Sequence, residues 1–156
     1  MSIVLISILL TFSAFAKDYP TAPAWQLKTQ SGENISLADY KGKPVILHFW
    51  ATWCPYCKRL QPKLVELEKK YQDTGITIVA VSFNEDEGAM PQGEINARGY
   101  HFITAVNGAP VAELYGVSGT PTTFFINRQG KAIFRTSSSD INNPNFELAV
   151  KEIIKP

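Results

Sequence analysis

Cysteine is nearly missing from this sequence, with two residues in a chain of 156. That excludes a disulfide-stapled framework and any four-cysteine zinc site. Histidine is as scarce, again two residues, and the spacing of His48, Cys54, Cys57 and His101 matches no zinc pattern. No metal is expected. Neither sign of charge is in excess: 15 Lys and Arg stand against 14 Asp and Glu, a formal net charge of +1. Without a basic surplus there is no electrostatic case for a nucleic-acid partner. Internal repeats and low-complexity segments are missing too. The longest acidic run, Glu85-Asp86-Glu87, reads as a solvated loop or helix start.

What is present is the composition of one globular domain, 45% hydrophobic and 19% charged. Residues 1–16 stand apart because they carry no charged side chain. Ile3 to Leu10 is apolar except for Ser7, and Ala14 and Ala16 supply small residues at the −3 and −1 positions of a cleavage site. This pattern predicts a signal peptide cleaved after Ala16 and a domain over 17–156. Left uncleaved, the run would serve as a membrane anchor, although it is shorter than the ~20 residues of a spanning helix. No cysteine lies near the cleavage site, so a bacterial lipid anchor is excluded.

Further along, Trp25 to Lys28 and Asn34 to Ser36 read as short strands around the Ser31-Gly32 turn. Pro44 to Trp50 is a β-rich run with few polar residues, the mark of a strand buried on both faces. A helix is predicted over Pro55 to Tyr71, with Leu60, Leu64, Leu67 and Tyr71 on its buried face and Pro62 breaking its hydrogen bonding. Strands follow at Ile76 to Val81 and Phe102 to Val106, separated by a helix over Met90 to Arg98. A short helix over Pro110 to Tyr115 precedes a hairpin of Thr122 to Ile126 and Ala132 to Thr136, and a helix over Phe146 to Ile154 closes the chain. This order implies an α/β fold: a mostly parallel central sheet, helices on both faces and an antiparallel edge from the final hairpin.

The two cysteines are three residues apart, so a bond between them closes almost no loop and contributes little entropic stabilisation. Reactivity, not stability, is the purpose that fits. Cys54 falls where a buried strand meets a helix N-terminus, and the free N–H groups and helix dipole there favour a thiolate. Cys57, one turn further in, is placed to resolve a mixed disulfide formed at Cys54. Pro55 suits the first helical turn, where its missing N–H costs nothing.

The segment Phe49-Trp50-Ala51-Thr52-Trp53-Cys54-Pro55-Tyr56-Cys57 resembles the active-site segment of the thioredoxin superfamily, and Pro62 falls at that family's helix-kinking proline. Tyr115 to Ile126, which contains Thr120-Pro121, resembles its cis-proline loop and the strand after it. The inserted helix and strand and the leader point to the TlpA/ResA-like secreted branch. The resemblance implies a thioredoxin-like fold with a central mixed sheet, an added N-terminal hairpin and an inserted helix-strand. It implies a thiol–disulfide oxidoreductase outside the cytoplasm, periplasmic or otherwise secreted, whose only redox group is the Cys54–Cys57 disulfide. No separate cofactor is expected.

The implied reaction is reduction of disulfides in secreted client proteins, cytochrome c maturation being one setting, with a membrane thiol electron donor as partner and a monomeric state. A DsbA-like dithiol oxidase and a non-catalytic binding module are the alternatives. Pro121 would turn the backbone toward Cys54 and Thr120 would pair with a client strand. Trp53, Pro55 and Tyr56 would form an apolar docking surface. His48 stands where thioredoxin has a buried acid, so it is either a base for Cys57 or a core histidine with a backbone partner. Two positions depart from the pattern: Leu60 replaces the glutamate of ResA-like proteins, and Thr122 replaces the glutamate that follows the proline in cytochrome-maturation reductases.

Overall fold

A computed structural model of the protein describes residues 17–156. The expected signal peptide, residues 1–16, lies outside the described residues. In chain order the strands and helices are β1 (Gln26–Thr29), β2 (Asn34–Ser36), β3 (Val45–Trp50), α1 (Pro55–Lys70), β4 (Thr77–Ser82), α2 (Pro91–Ala97), β5 (Ile103–Val106), α3 (Ala109–Leu114), β6 (Thr122–Ile126), β7 (Ala132–Thr136) and α4 (Asn145–Ile153). Each expected element is present, with ends displaced by at most one residue.

The described residues form one sheet in the order β2-β1-β5-β4-β3-β6-β7. It is mixed, as the resemblance implies. The expectation of a mostly parallel sheet is corrected, because only β3–β4 and β4–β5 are parallel. Alternation of strands and helices builds that parallel centre. The β1–β2 hairpin then adds to β5 in antiparallel sense, and the β6–β7 hairpin adds to β3 in the same way.

β3 is buried at all six positions and organises both layers. Its side chains alternate between faces, as a pleated strand requires. Ile46 and Trp50 pack with Leu60, Leu64 and Leu67 of α1, Ile95 of α2 and Phe146, Val150 and Ile153 of α4. Val45, Leu47 and Phe49 pack on the other face with Val111 and Ala112 of α3, Tyr115, and Trp25 from the N-terminal lead-in. Each fully buried leucine of α1 contributes about 1.5–3 kcal/mol relative to exposure.

Pro62 sits inside α1 without an N–H to donate to the Lys58 carbonyl one turn back. Arg98, just past α2, donates to that carbonyl from Nη2 at 2.7 Å. Lys58 Nζ also meets Glu94 of α2 at 2.8 Å. The inserted helix thus replaces the hydrogen bond that the proline removes. Among the described residues no helix is long and apolar enough to cross a membrane.

Gly108, directly before α3, is pressed against β4. A Cβ there would meet Val81 Cγ1 at 2.2 Å and the Ser82 carbonyl oxygen at 2.8 Å, and the Gly108 N–H already donates to that oxygen at 2.8 Å. Gly108→Ala should therefore destabilise the fold by roughly 1–3 kcal/mol, the usual cost of overpacking. A urea midpoint equal to that of the parent would contradict this.

Candidate active site

β3 ends at Trp50, and the chain turns through Ala51, Thr52 and Trp53 before α1 begins. The turn is closed by the Cys54 N–H, which donates to the Ala51 carbonyl at 3.1 Å. Cys54 is the N-cap of α1, with extended φ −84° and ψ 105°. Its Sγ accepts the Cys57 N–H at 3.1 Å, the hydrogen bond that a Ser or Asp side chain makes in an ordinary cap. Sulfur therefore sits where the helix N-terminus offers a backbone donor and a favourable dipole to negative charge. Cys54 and Cys57 are joined as a disulfide, their Cα atoms 5.3 Å apart.

The two cysteines do not differ in burial in this disulfide state. Cys54 is 1% exposed and Cys57 0%. Folding the cap side chain back onto the first turn draws Cys54 inward with its partner. The exposed groups are the neighbours: Trp53 and Tyr56 are about half exposed at 51% and 54%, and Pro55 between the cysteines is exposed as well. The Arg59 guanidinium lies 5.5 Å from the centroid of the Tyr56 ring.

The Thr120–Pro121 peptide bond is cis. β6 runs antiparallel to β3 with Phe49 opposite Thr122. That register places Pro121 opposite Trp50, at the end of the sheet where the Cys54 turn emerges. Pro121 is buried and Thr120 half-buried.

His48 is fully buried. It follows Ile46 and precedes Trp50 on one face of β3, so its ring points beneath α1, the helix that carries Cys57. Nδ1 lies 3.1 Å from Thr123 Oγ1 on β6, the residue directly opposite it in the sheet. The expectation of a backbone partner is replaced by a hydroxyl. Burial pushes the His48 imidazole down to about 3, so it is neutral at ordinary pH. Gln61, one turn on from Cys57 on the same face of α1, is also fully buried. Its i+4 spacing from Cys57 is visible in the sequence.

Sequence reasoning also missed a second group. The Glu85 carboxylate accepts hydrogen bonds from the Thr52 N–H at 2.9 and 3.0 Å, from Thr52 Oγ1 at 2.6 Å and from Ser82 Oγ at 2.5 Å. Trp53 Nε1 donates to the Asn84 carbonyl at 2.8 Å. The reading of Glu85-Asp86-Glu87 as a merely solvated run is corrected at its first member, which is half-buried, while Asp86 and Glu87 are exposed. Among the described residues no group of three His, Cys, Asp or Glu side chains is placed to hold a metal ion.

A seven-stranded mixed sheet flanked by helices, with a Cys-Pro-Tyr-Cys disulfide capping α1 and a cis-proline at the adjoining strand, defines a thioredoxin-fold protein. The chain belongs to the AhpC/TSA family, which it matches over residues 20–134. It is 36% identical over 113 residues to the thiol-disulfide oxidoreductase ResA of Bacillus anthracis, covering 72% of this chain. The match spans 65% of that relative's length, a little under two thirds. With the ResA of Halalkalibacterium halodurans it is 34% identical over 131 residues, which cover 83% of this chain and 73% of the relative. Among solved structures, a Chlorobium tepidum protein provisionally designated thiol:disulfide interchange protein DsbE is similar with a TM-score of 0.77 and 27% identity, covering 89% of this chain and 99% of the other.

The depressed basicity of His48 has a consequence for stability. The unfolded chain takes up a proton on this ring near pH 6.5, whereas the folded chain does so only near 3. Below pH 6.5 the unfolded state binds more protons, so the stability contributed by neutral His48 is lost as pH falls toward 3. His48→Asn, which keeps a partner for Thr123 and cannot titrate, should flatten that part of the curve. Urea midpoints at pH 7 and pH 4 test this; the same acid loss in both proteins counts against it.

Proposed function

We propose that this protein is a thiol–disulfide oxidoreductase that reduces disulfides of client proteins outside the cytoplasm. The observation that carries the reading is the Cys54 sulfur, which caps α1, accepts the Cys57 N–H and is bonded to Cys57. In the reduced protein the same donor would face a thiolate, and a hydrogen bond to an ionised acceptor is roughly twice as strong.

Cys54 thiolate attacks one sulfur of a client disulfide. A mixed disulfide forms, and the other client sulfur leaves as a thiolate that takes a proton from water. Cys57, deprotonated, attacks Cys54 Sγ, and the second client sulfur leaves in turn. The client gains two electrons and two protons, and Cys54–Cys57 ends as the disulfide. A membrane-borne dithiol then returns two electrons. No cofactor beyond the cysteine pair enters this cycle. Trp53, Pro55 and Tyr56 offer the client an exposed apolar rim, and Thr120 and Pro121 border the site from β6. The charge-free run of residues 1–16 supports export, by cleavage or as an anchor. The family relatives named thiol-disulfide oxidoreductase support the chemistry.

His48 enters as a positioning residue more than as a terminal base. A ring that protonates only near 3 is a poor acceptor for a thiol proton of ordinary pKa, ~8.5. Its neutral polar edge beneath α1 nonetheless offers Cys57 a better surrounding than hydrocarbon.

The reduced protein should reduce insulin disulfides, with a rate lost on Cys54→Ser. Cys57→Ala should leave clients covalently attached to Cys54, seen on non-reducing gels and released by dithiothreitol. Failure of the parent protein to exchange with any disulfide substrate would sink the reading. His48→Ala should slow decay of the mixed disulfide by roughly tenfold, less than the ~100-fold or more that a full general base supplies. Alkylation of Cys54 should be nearly unchanged, and equal decay rates in mutant and parent would remove His48 from the mechanism.

A further inference from the structure

Two consecutive residues of the loop after β4 grip two consecutive residues of the active-site turn. Asn84 holds the Trp53 indole through its carbonyl, and Glu85 holds the N–H and hydroxyl of Thr52. Asn84 adopts a left-handed φ of 55°. Asparagine tolerates that conformation better than most residues. The turn it makes carries the chain back so that Glu85 reaches both Thr52 and Ser82, the last residue of β4. Ser82 is fully buried, so one end of the clasp is anchored in the sheet.

Thr52 stands two residues before Cys54. The carboxylate that holds it is half-buried and therefore less screened by solvent and salt than the exposed Asp86 and Glu87 beside it. A negative charge fixed next to the turn disfavours a second negative charge on the sulfur at its end. The disulfide carries no charge, whereas reduced Cys54 does when ionised. The clasp therefore destabilises only the reduced form. It opposes the Cys57 N–H and the helix dipole, which stabilise that form.

We infer that Glu85 is a positioning residue that fixes the Thr52-Trp53 turn and biases the Cys54–Cys57 couple toward giving up electrons. The inference rests on the thiol–disulfide reading above. Other charges on the flanking segments are already engaged or exposed. Lys58 is paired with Glu94, Arg59 lies over the Tyr56 ring, and Asp86 and Glu87 face solvent. His48, behind Cys57, is neutral.

The experiment compares the parent, Glu85→Gln, Glu85→Asp and Asp86→Asn. Folding is checked by urea midpoint. The Cys54 pKa is read from the pH dependence of iodoacetamide alkylation, each protein also carrying Cys57→Ala. The redox equilibrium with glutathione is read on the two-cysteine proteins by Trp fluorescence. Glu85→Gln should lower the Cys54 pKa by about half a unit to one unit. It should shift the glutathione equilibrium toward reduced protein by up to about tenfold, which corresponds to ~30 mV. Glu85→Asp should stay near the parent, and Asp86→Asn should shift little. If Glu85→Gln does not fold, Thr52→Val supplies the test with the opposite sign. Deleting one donor leaves the carboxylate less neutralised, so the Cys54 pKa should rise.

No shift in Glu85→Gln, a shift no larger than that of Asp86→Asn, or a fall in Thr52→Val would overturn the inference. A parent protein that exchanges normally while Glu85→Gln matches it removes only the inference. A parent that never equilibrates with glutathione removes the functional reading itself.

Discussion

The proposed chemistry turns on one hydrogen bond: a backbone N–H of the first turn of α1 donated to a cysteine sulfur in the capping position. Everything around it serves to keep that sulfur there. β3 must end at Trp50 for the turn to begin, and it ends there because six consecutive buried residues fill the middle of the sheet. Pro55 can follow the cap because the first helical position needs no donor. The second cysteine then comes to the first without bending the helix, since both belong to the same turn.

The same helix contains a defect and its remedy. Pro62 removes a main-chain donor from the interior of α1, and the insertion after β4 returns one through Arg98. The insertion also provides the loop that holds the active-site turn through Asn84 and Glu85. A segment that looks peripheral in the chain order therefore braces the central helix at one end and the reactive turn at the other. Such bracing suits the balance inferred at the site, between a donor that favours charge on sulfur and a carboxylate that opposes it.

Much of this was legible in the sequence. The run from Val45 to Trp50 announced a strand buried on both faces, and Leu60, Leu64 and Leu67 announced the buried side of α1, because periodicity in apolar side chains reports burial directly. The Cys54–Cys57 pair announced itself by spacing. What escaped notice was long-range and polar. Glu85 looked like one member of an acidic run, since nothing local distinguishes a carboxylate that reaches across to Thr52 from one that faces water. Arg98 gave no sign that its partner was a carbonyl freed forty residues earlier. Alternation of strands and helices implies a mostly parallel sheet because it fixes the crossovers, while the docking of two hairpins onto the flanks is decided by edges that no local pattern encodes.

Almost none of Cys54 meets solvent when it is bonded to Cys57, although its neighbours Trp53 and Tyr56 stand half in water. A sulfur so sheltered is reached only by something that first shoulders a neighbour aside. Selectivity then becomes a matter of admission. Under the proposed function, a broad partner that leans on both aromatic rings reaches it fastest, and a small dissolved thiol, with nothing to lean on, equilibrates with it more slowly.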